Sequence, residues 1–421
     1  MENKKYKIKY DIATNFDPEF IGKLKNIDKD NQVGTVFGKL RRDIIGGGRS
    51  SVNSPELSLD ELKNYIKDCH DNNFKFNYLI NTTCLGNREV NPQYHRKMVK
   101  YISKLCELGI DGVTVDYPYL CQLIKKQFPN LMVSIGIGAG VINCKQIGYW
   151  REMGADEITV GHGINRNFKL LEEILTFTKG TNMNIRLIAN NTCLPECPSK
   201  IVHASGHSHA SQKRNSSSDL YIDYNLLYCN NRRVKNMGYM IASEWIRPED
   251  VHYYEEICDK VGNHNFSLKL LERTKNTEFL LRVAKAYITK NFEGNLLDIL
   301  NWPAEKNRNV IHKKSIIFRT IISRYNIKKL LNYQKVFALP NVYIDNKKLN
   351  GFLDKFKVKY DCSSKMCGKK EDVASGGSNI CCYCSSWAEK AISYNKEEID
   401  EWLKRSDVLI NSMRNSDFFQ R

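Results

Sequence analysis

No stretch of this 421-residue chain approaches the roughly 20 uninterrupted apolar residues that a membrane-crossing helix needs. Its opening, MENKKYKIKYDIATNF, lacks the apolar core of a secretory signal. Together these absences lead us to expect a cytoplasmic protein. Hydrolase signatures are missing as well: there is no HExxH or other zinc-protease helix motif, and no Ser/His/Asp arrangement for acyl transfer. Negative charge is the scarcer sign, with 47 acidic against 64 basic residues and a formal net charge of +17.

A reducing compartment disfavours structural disulfides, so the fourteen cysteines are read as metal ligands, catalytic groups or plain burial. Nine are spread before residue 260, and five crowd into 362–384. The positive charge is densest from Lys306 through Arg308, Lys313, Lys314, Arg319, Arg324, Lys328 and Lys329 to Lys335. Such a stripe can release counterions from a nucleic-acid backbone, so RNA is a partner for segment 306–335; a solvated helix face in a Lys-, Asn- and Ile-rich chain explains it equally simply.

At this length a large domain of roughly 250 to 300 residues with a smaller appendage is expected. Short β-branched runs alternate with amphipathic helical stretches: KIKYDIA, VGTVFGKL, FKFNYLI, DGVTVD, LMVSIGI, EITVG, IRLIAN and, after a long insertion, FSLKLL. Eight strands alternating with helices predict a (β/α)8 TIM-type barrel, an α/β fold with a long insertion after strand 7 and a small cysteine-rich C-terminal appendage; a doubly wound open sheet is the second possibility. The predicted division is 1–300 for the barrel, 301–350 for a basic connecting segment and 351–421 for a cysteine-rich metal-binding region with a terminal helix. Ser58 with Glu61 predicts a helix start, Gly109 a helix end, and Pro248 followed by acids another start. TEFLLRVAKAYITKNFEGNLLDIL reads as helix throughout, and SGHSHASQKRNSSSD as a polar, mobile loop.

Chemistry in either α/β arrangement belongs at the carboxyl ends of the strands. There the chain places GGGRSS, NTTCLGNRE, DYP, GHGINR, NNTCLPEC and ERT. In NNTCLPECPSK, Cys193 and Cys197 lie four apart, with Pro195 and Pro198 favouring a turn that lets two thiolates converge. A redox dithiol more often has two intervening residues. Cys84 after the third strand and Cys229 in the insertion complete a four-thiolate set suited to zinc or a four-iron four-sulfur cluster, unless both are simply buried. In the tail, Cys362, Cys367, Cys381 and Cys384 form CxxxxC and CxxC pairings that predict zinc or a second cluster, with Cys381 and its neighbour Cys382 alternative ligands.

His203, His207 and His209 could ligate metal or move protons; for His207, exposure in the polar loop is an equal alternative. Gly46, Gly47, Gly48 and Arg49 could hold a carboxylate or phosphate through backbone amides and a guanidinium, or could simply form a tight turn. Arg273 would point at the same mouth, with Glu272 as its salt-bridge partner. Asp116 is a base or the cap of the following helix.

GGGR, FNYLINTTCLGNRE, GVTVDYPYL, GADEITV, ANNTCLPECPSKIVHASGHSHAS, EWIRPEDVHYYE and ERTKNTEFLLRVAKAYI, in that order, resemble the U32 (collagenase-like) peptidase family over roughly residues 30 to 300 and into the cysteine-rich tail. The resemblance implies a (β/α) barrel. Several members of that family are iron–sulfur proteins of oxygen-independent hydroxylation, acting on tRNA or ribosomal RNA bases or the ubiquinone ring with prephenate as oxygen donor, rather than proteases. It implies Cys193 and Cys197 as cluster ligands, Cys229 and Cys84 as completions, and His203 and His209 as the matching histidines. RNA- and quinone-modifying members space their cysteines differently, commonly as two pairs within one segment.

The expectation is therefore an iron–sulfur barrel enzyme of oxygen-independent hydroxylation or a related modification. Arg49, Asp116, His203, His209 and Arg273 would handle an anionic small molecule, and a protein partner of the same family is a further expectation. A metallopeptidase-like hydrolase and a zinc-stapled RNA-binding or scaffold protein are the alternatives.

Overall fold

The structure, a computed structural model, describes residues 6–49, 54–213, 222–300, 302, 327–358 and 380–419. All eight expected strands form: β1 (Lys9–Ala13), β2 (Val33–Gly38), β3 (Lys75–Leu79), β4 (Gly112–Val115), β5 (Met132–Ile135), β6 (Glu157–Thr159), β7 (Asn184–Ile188) and β8 (Phe266–Leu270). They close in chain order into a parallel barrel, with β8 pairing back onto β1. The open-sheet alternative is thereby excluded.

Most of the barrel's helices stop and start where local chemistry dictates. Helix α1 (Phe20–Ile27) is followed by α2 (Leu59–Asp71), which opens on a complete Ser58–Glu61 capping box. Helix α3 (Pro92–Glu107) is capped by the Asn91 side chain and ends before Gly109, whose φ of +93° suits glycine. Helices α4 (Pro118–Gln127), α5 (Cys144–Glu152) and α6 (Phe168–Thr178) complete the run to β7.

The insertion between β7 and β8 holds α7 (Lys200–Ala210), α8 (Tyr224–Lys235), α9 (Gly238–Ala242) and α10 (Val251–Val261), the last entered through the turn at Pro248. After β8, α11 (Thr277–Thr289) is shorter than expected: Lys290 turns left-handed at φ +51°, and only Leu296–Asp298 resumes as a 3-10 turn. The loop expected at 205–219 is also corrected. Residues up to 210 are helical and Ser208, Ser211 and Gln212 are buried, because their side chains hydrogen-bond to the loops of the barrel mouth; 214–221 lie outside the described residues.

The C-terminal residues pack onto this insertion. Strands β9 (Val342–Ile344) and β10 (Ile392–Tyr394) form an antiparallel pair. The helix Cys382–Ala391 lies against α9, and the helix Lys396–Arg414 lies against α8, where Asn231 donates to Ser406 and Asp407 at 3.0 and 2.9 Å. Of the basic segment, 303–326 lie outside the described residues, and Ile327–Val336 is helical.

TIM-type barrels usually fill their interior with branched apolar side chains. Here the interior is polar. Arg186 on β7 donates to Asp11 on β1 at 2.7 Å, to Thr159 on β6 at 2.9 Å, and pairs with Glu157 on β6. Glu157 also accepts from Ser134 on β5 and from Asn184 on β7, both at 2.6 Å. Four of the eight strands are tied across this network. Burial opposes the charge on Arg186, but the carboxylates of Glu157 and Asp11 outweigh it and raise its pKa. Removing one partner from a buried, hydrogen-bonded charge group typically costs about 3–5 kcal/mol. Arg186→Leu, which strands two acids in the barrel, is expected to lose about that much stability in urea unfolding.

Candidate functional site

Helix α7 lies across the carboxyl ends of the strands. At one end it follows CLPEC, which leaves β7 as a turn in which Glu196 takes a left-handed φ of +47°. Further along, Thr83 after β3 donates its amide to Ser208 at 3.0 Å, and its hydroxyl meets Ser205 at 3.1 Å. Just past the helix, Ser211 exchanges hydrogen bonds with both polar groups of Gly47, and Gln212 donates to the carbonyls of Ile45 and Cys84. The insertion therefore roofs the mouth.

This roof explains the glycine run. A Cβ on Gly46 would sit 2.6 Å from Gln212 and 2.7 Å from the Ser208 carbonyl, and one on Gly48 would sit 2.7 Å from Asn81. All three amides are already occupied, by Asp43, Ser211 and Asn81 respectively. Of the two readings of the glycine run, the tight turn is the one that forms, with its amide donors spent inside the protein. The guanidinium of Arg49, next along the chain, pairs with the buried Glu272 at 2.7 Å. The expected Arg273–Glu272 bridge is replaced by this Arg49 contact.

Arg273 is buried, and its Nε and Nη1 have no hydrogen-bond partner among the described residues. Burial and the neighbouring Arg49 charge lower its pKa to about 10, so it stays charged at neutral pH. A buried guanidinium with unmet donors is a ready partner for a carboxylate or phosphate.

Asp116, at the end of β4, is held against Gly136 and Gly138, where an added Cβ would come within 2.2 and 2.3 Å of its carboxylate oxygens. Its Oδ1 has no hydrogen-bond partner, and Asn81 reaches its Oδ2 only at 3.5 Å. Burial pushes its pKa up to about 7; Lys269, Asn81 and the Gly136 and Gly138 amides oppose the shift. Asp116 does not cap α4, which begins at Pro118 with no side-chain cap.

The histidines divide unexpectedly. His203 and His207, one turn apart on α7, face Asp223: His203 Nε2 lies 2.9 Å from its carboxylate and 2.9 Å from His207 Nε2. His207 lies 3.4 Å from the same carboxylate and is largely buried, not exposed in a loop; the helix that replaces the loop points it inward. Burial opposes the charge of Asp223, but the His203 hydrogen bond and the two imidazoles outweigh it and hold its carboxyl below the usual range. Among the described residues, these three form the His/Cys/Asp/Glu group whose ligand atoms converge within 4.8 Å. His209 lies apart, 3.3 Å from Gln212.

The four cysteines do not converge to that degree. Burial pushes the Cys229 thiol up to about 12; Arg233, donating to its sulfur at 2.8 Å, opposes this, and charge on Cys193 and Cys197 adds to it. These three sulfurs therefore share one electrostatic neighbourhood. Cys193 is exposed and Cys197 half-buried. Cys84 sits after β3, where its sulfur accepts from Gly86 at 3.3 Å and adds to the electrostatic surroundings of Tyr117. In the tail, Cys381 precedes and Cys384 lies inside the helix Cys382–Ala391, both buried, while Cys382 faces solvent. Cys362 and Cys367 lie outside the described residues.

Sequence reasoning passed over Lys269, which projects from β8 into the barrel interior, and Asp223. The signal for Lys269 was present: a charged residue in the middle of an otherwise apolar strand, FSLKLL. Asp223 had no such signal, because its partners come from another helix.

Asp116 makes a testable contribution to pH dependence. Its folded pKa of about 7 lies above the unfolded value of about 3.9, so the folded state binds the extra proton between them. Its stabilising contribution is full below about pH 4 and is lost as pH rises through 7. In urea unfolding, Asp116→Asn is expected to gain stability relative to the parent between pH 4 and 8, flattening the profile.

Among proteins of known sequence, an uncharacterized protease of Methanocaldococcus jannaschii is 27% identical over 354 residues, spanning 83% of this chain and 86% of its own. The tRNA hydroxylation protein P of Haemophilus influenzae is 20% identical over 161 residues, 37% of this chain and 32% of that protein. A solved U32 peptidase structure superposes with a TM-score of 0.46 at 17% identity, covering 65% of this chain and 96% of the other. The family description "Peptidase family U32" matches residues 46–292, more than half of the chain, and the protein belongs to that family.

Proposed function

We propose that this protein is an iron–sulfur enzyme that modifies an anionic small molecule, or an RNA base, at the roofed barrel mouth without using oxygen. Arg273 carries the reading: its unmet donors lie in the mouth beside Arg49 and are suited to a carboxylate or phosphate. The partial likeness to a tRNA hydroxylation protein supports the modification chemistry, and segment 306–335 would be the RNA contact.

Cys193, Cys197 and Cys229 fit a cluster as three thiolate donors, and Cys84 across the mouth is the fourth candidate. The Arg233 contact favours the ionised sulfur that such ligation requires. When bound, the cluster would supply one-electron chemistry or an open iron position. The chain's own groups do the rest: Arg273 and Arg49 orient the anion, α7 excludes water, and Asp116 holds a proton at its carboxyl. The tail cysteines would hold zinc or a second cluster.

The convergence of His203, His207 and Asp223 favours a second reading, a metal-dependent hydrolase in keeping with the peptidase name. Anaerobic purification with iron, sulfide and zinc counted per chain separates the two. Iron with visible-range thiolate-to-iron absorbance, lost in Cys193→Ala and Cys197→Ala, is the expected result. Zinc without iron, lost in His203→Ala, would establish the hydrolase reading instead, and full iron retained in Cys193→Ala would place the ligands elsewhere.

A further inference from the structure

Two buried groups of opposite character, Lys269 and Asp116, lie near enough in the barrel for each to shift the ionisation of the other. Lys269 lies on β8 in register with Asp11 of β1, pointing into the barrel. The acids of the interior, Asp11 and Glu157, are bound by Arg186, and no hydrogen bond or ion pair holds the Lys269 amine among the described residues. Its closest aromatic partner is the Phe37 ring, 4.0 Å away. Asp116, just after β4, supplies the opposite group, a buried carboxyl, set beside the Gly136 and Gly138 amides, whose Oδ1 has no hydrogen bond within ordinary geometry among the described residues.

We propose that Lys269 is a catalytic amine that captures the carbonyl group of an aldehyde or ketone as an imine, with Asp116 as its proton donor and acceptor. The inference rests on the mouth being the substrate site and is independent of the cluster. The charged groups facing the amine are Arg186 on β7, Asp11 on β1, Glu157 on β6 and Asp116 just after β4. Burial and Arg186 push its pKa down to about 7, and the acids oppose this without cancelling it. About half the amine is then neutral at pH 7, against well under a hundredth for an ordinary lysine. A lysine serving only to balance the interior acids would instead be fully charged.

The chemistry balances within the pair. The Nζ lone pair attacks the carbonyl carbon, forming a C–N bond, while the oxygen takes the Asp116 proton. The new ammonium returns a proton to the Asp116 carboxylate. The carbinolamine hydroxyl then takes that proton and leaves as water as the nitrogen lone pair forms C=N. The result is an iminium beside ionised Asp116, a pair of opposite charges in a buried site. Arg273 and Arg49 would hold an anionic end of the same carbonyl compound.

Formaldehyde with cyanoborohydride, applied to the intact protein as purified, tests this directly, because it converts an imine-forming amine to a methylated one that peptide mass spectrometry locates. At limiting reagent and pH 7, Lys269 is expected to be methylated about tenfold or more faster than the exposed lysines. Its rate should fall by half near pH 7, where exposed lysines are still far below half-maximal. Asp116→Asn should slow Lys269 by roughly tenfold or more while leaving the exposed lysines unchanged, and Lys39, buried against Asp43, should stay unmodified, which reports that the variant is folded. Methylation of Lys269 no faster than the surface, or only after denaturation, overturns the proposal, and an unchanged rate in Asp116→Asn overturns the role of Asp116. Iron counted in the same samples keeps this result distinct from the cluster reading: a reactive Lys269 without iron removes the cluster alone.

Discussion

The guanidinium of Arg186, clasped between Asp11 and Glu157, is the interaction on which the rest of the barrel depends. A closed barrel must fill its centre, and this one fills it with charge. Such a centre is tolerated only when donors and acceptors are matched: Ser134 and Asn184 donate to Glu157, and Thr159 accepts from Arg186. Because Arg186 saturates the acids, the remaining interior cation, Lys269, is left with an aromatic face and a neutral-range pKa. Stability and reactivity thus share one electrostatic arrangement: what locks the strands together also frees the amine.

The roof follows a different logic. Helix α7 is poor in large buried side chains, and its two exposed apolar residues, Ile201 and Val202, face away from the mouth's hydrogen bonds. It is held by serines and a glutamine that bond to backbone groups of the glycine turn and the loop after β3. Glycine is needed there because the roof approaches within less than the space a Cβ requires. The same turn that suggested an anion site from sequence serves to seat the roof, and Arg49 and Arg273 are the guanidinium groups beside Glu272 there.

Around the mouth, three groups with distinct chemistries are separated by the fold. The sulfurs of Cys193, Cys197 and Cys229 lie toward the insertion, the His203–His207–Asp223 group lies under α7 where Arg49 and Glu272 reach His207 electrostatically, and Asp116 with Lys269 lies toward the barrel interior. The C-terminal helices lean on α8 and α9, which carry or adjoin Cys229, so the tail buttresses the cysteine side of the site.

The strand and helix plan was legible in the sequence because it depends on local patterns: β-branched runs, the Ser58–Glu61 box, and glycine at 109. The positions of Cys193 and Cys197 in a turn after β7 were legible for the same reason. By contrast, the order at 205–213, the burial of His207, and the loss of the glycine amides to Asp43, Ser211 and Asn81 depend on contacts between residues distant in sequence. Local composition marked 205–213 as polar and therefore mobile, but polarity describes the side chains and not where their hydrogen bonds go. The sequence by itself determined the eight-fold alternation and the set of groups at the strand ends. Only the tertiary structure decided which of those groups are spent on one another and which are left for a ligand, because burial and pairing arise when the barrel closes and its roof is laid.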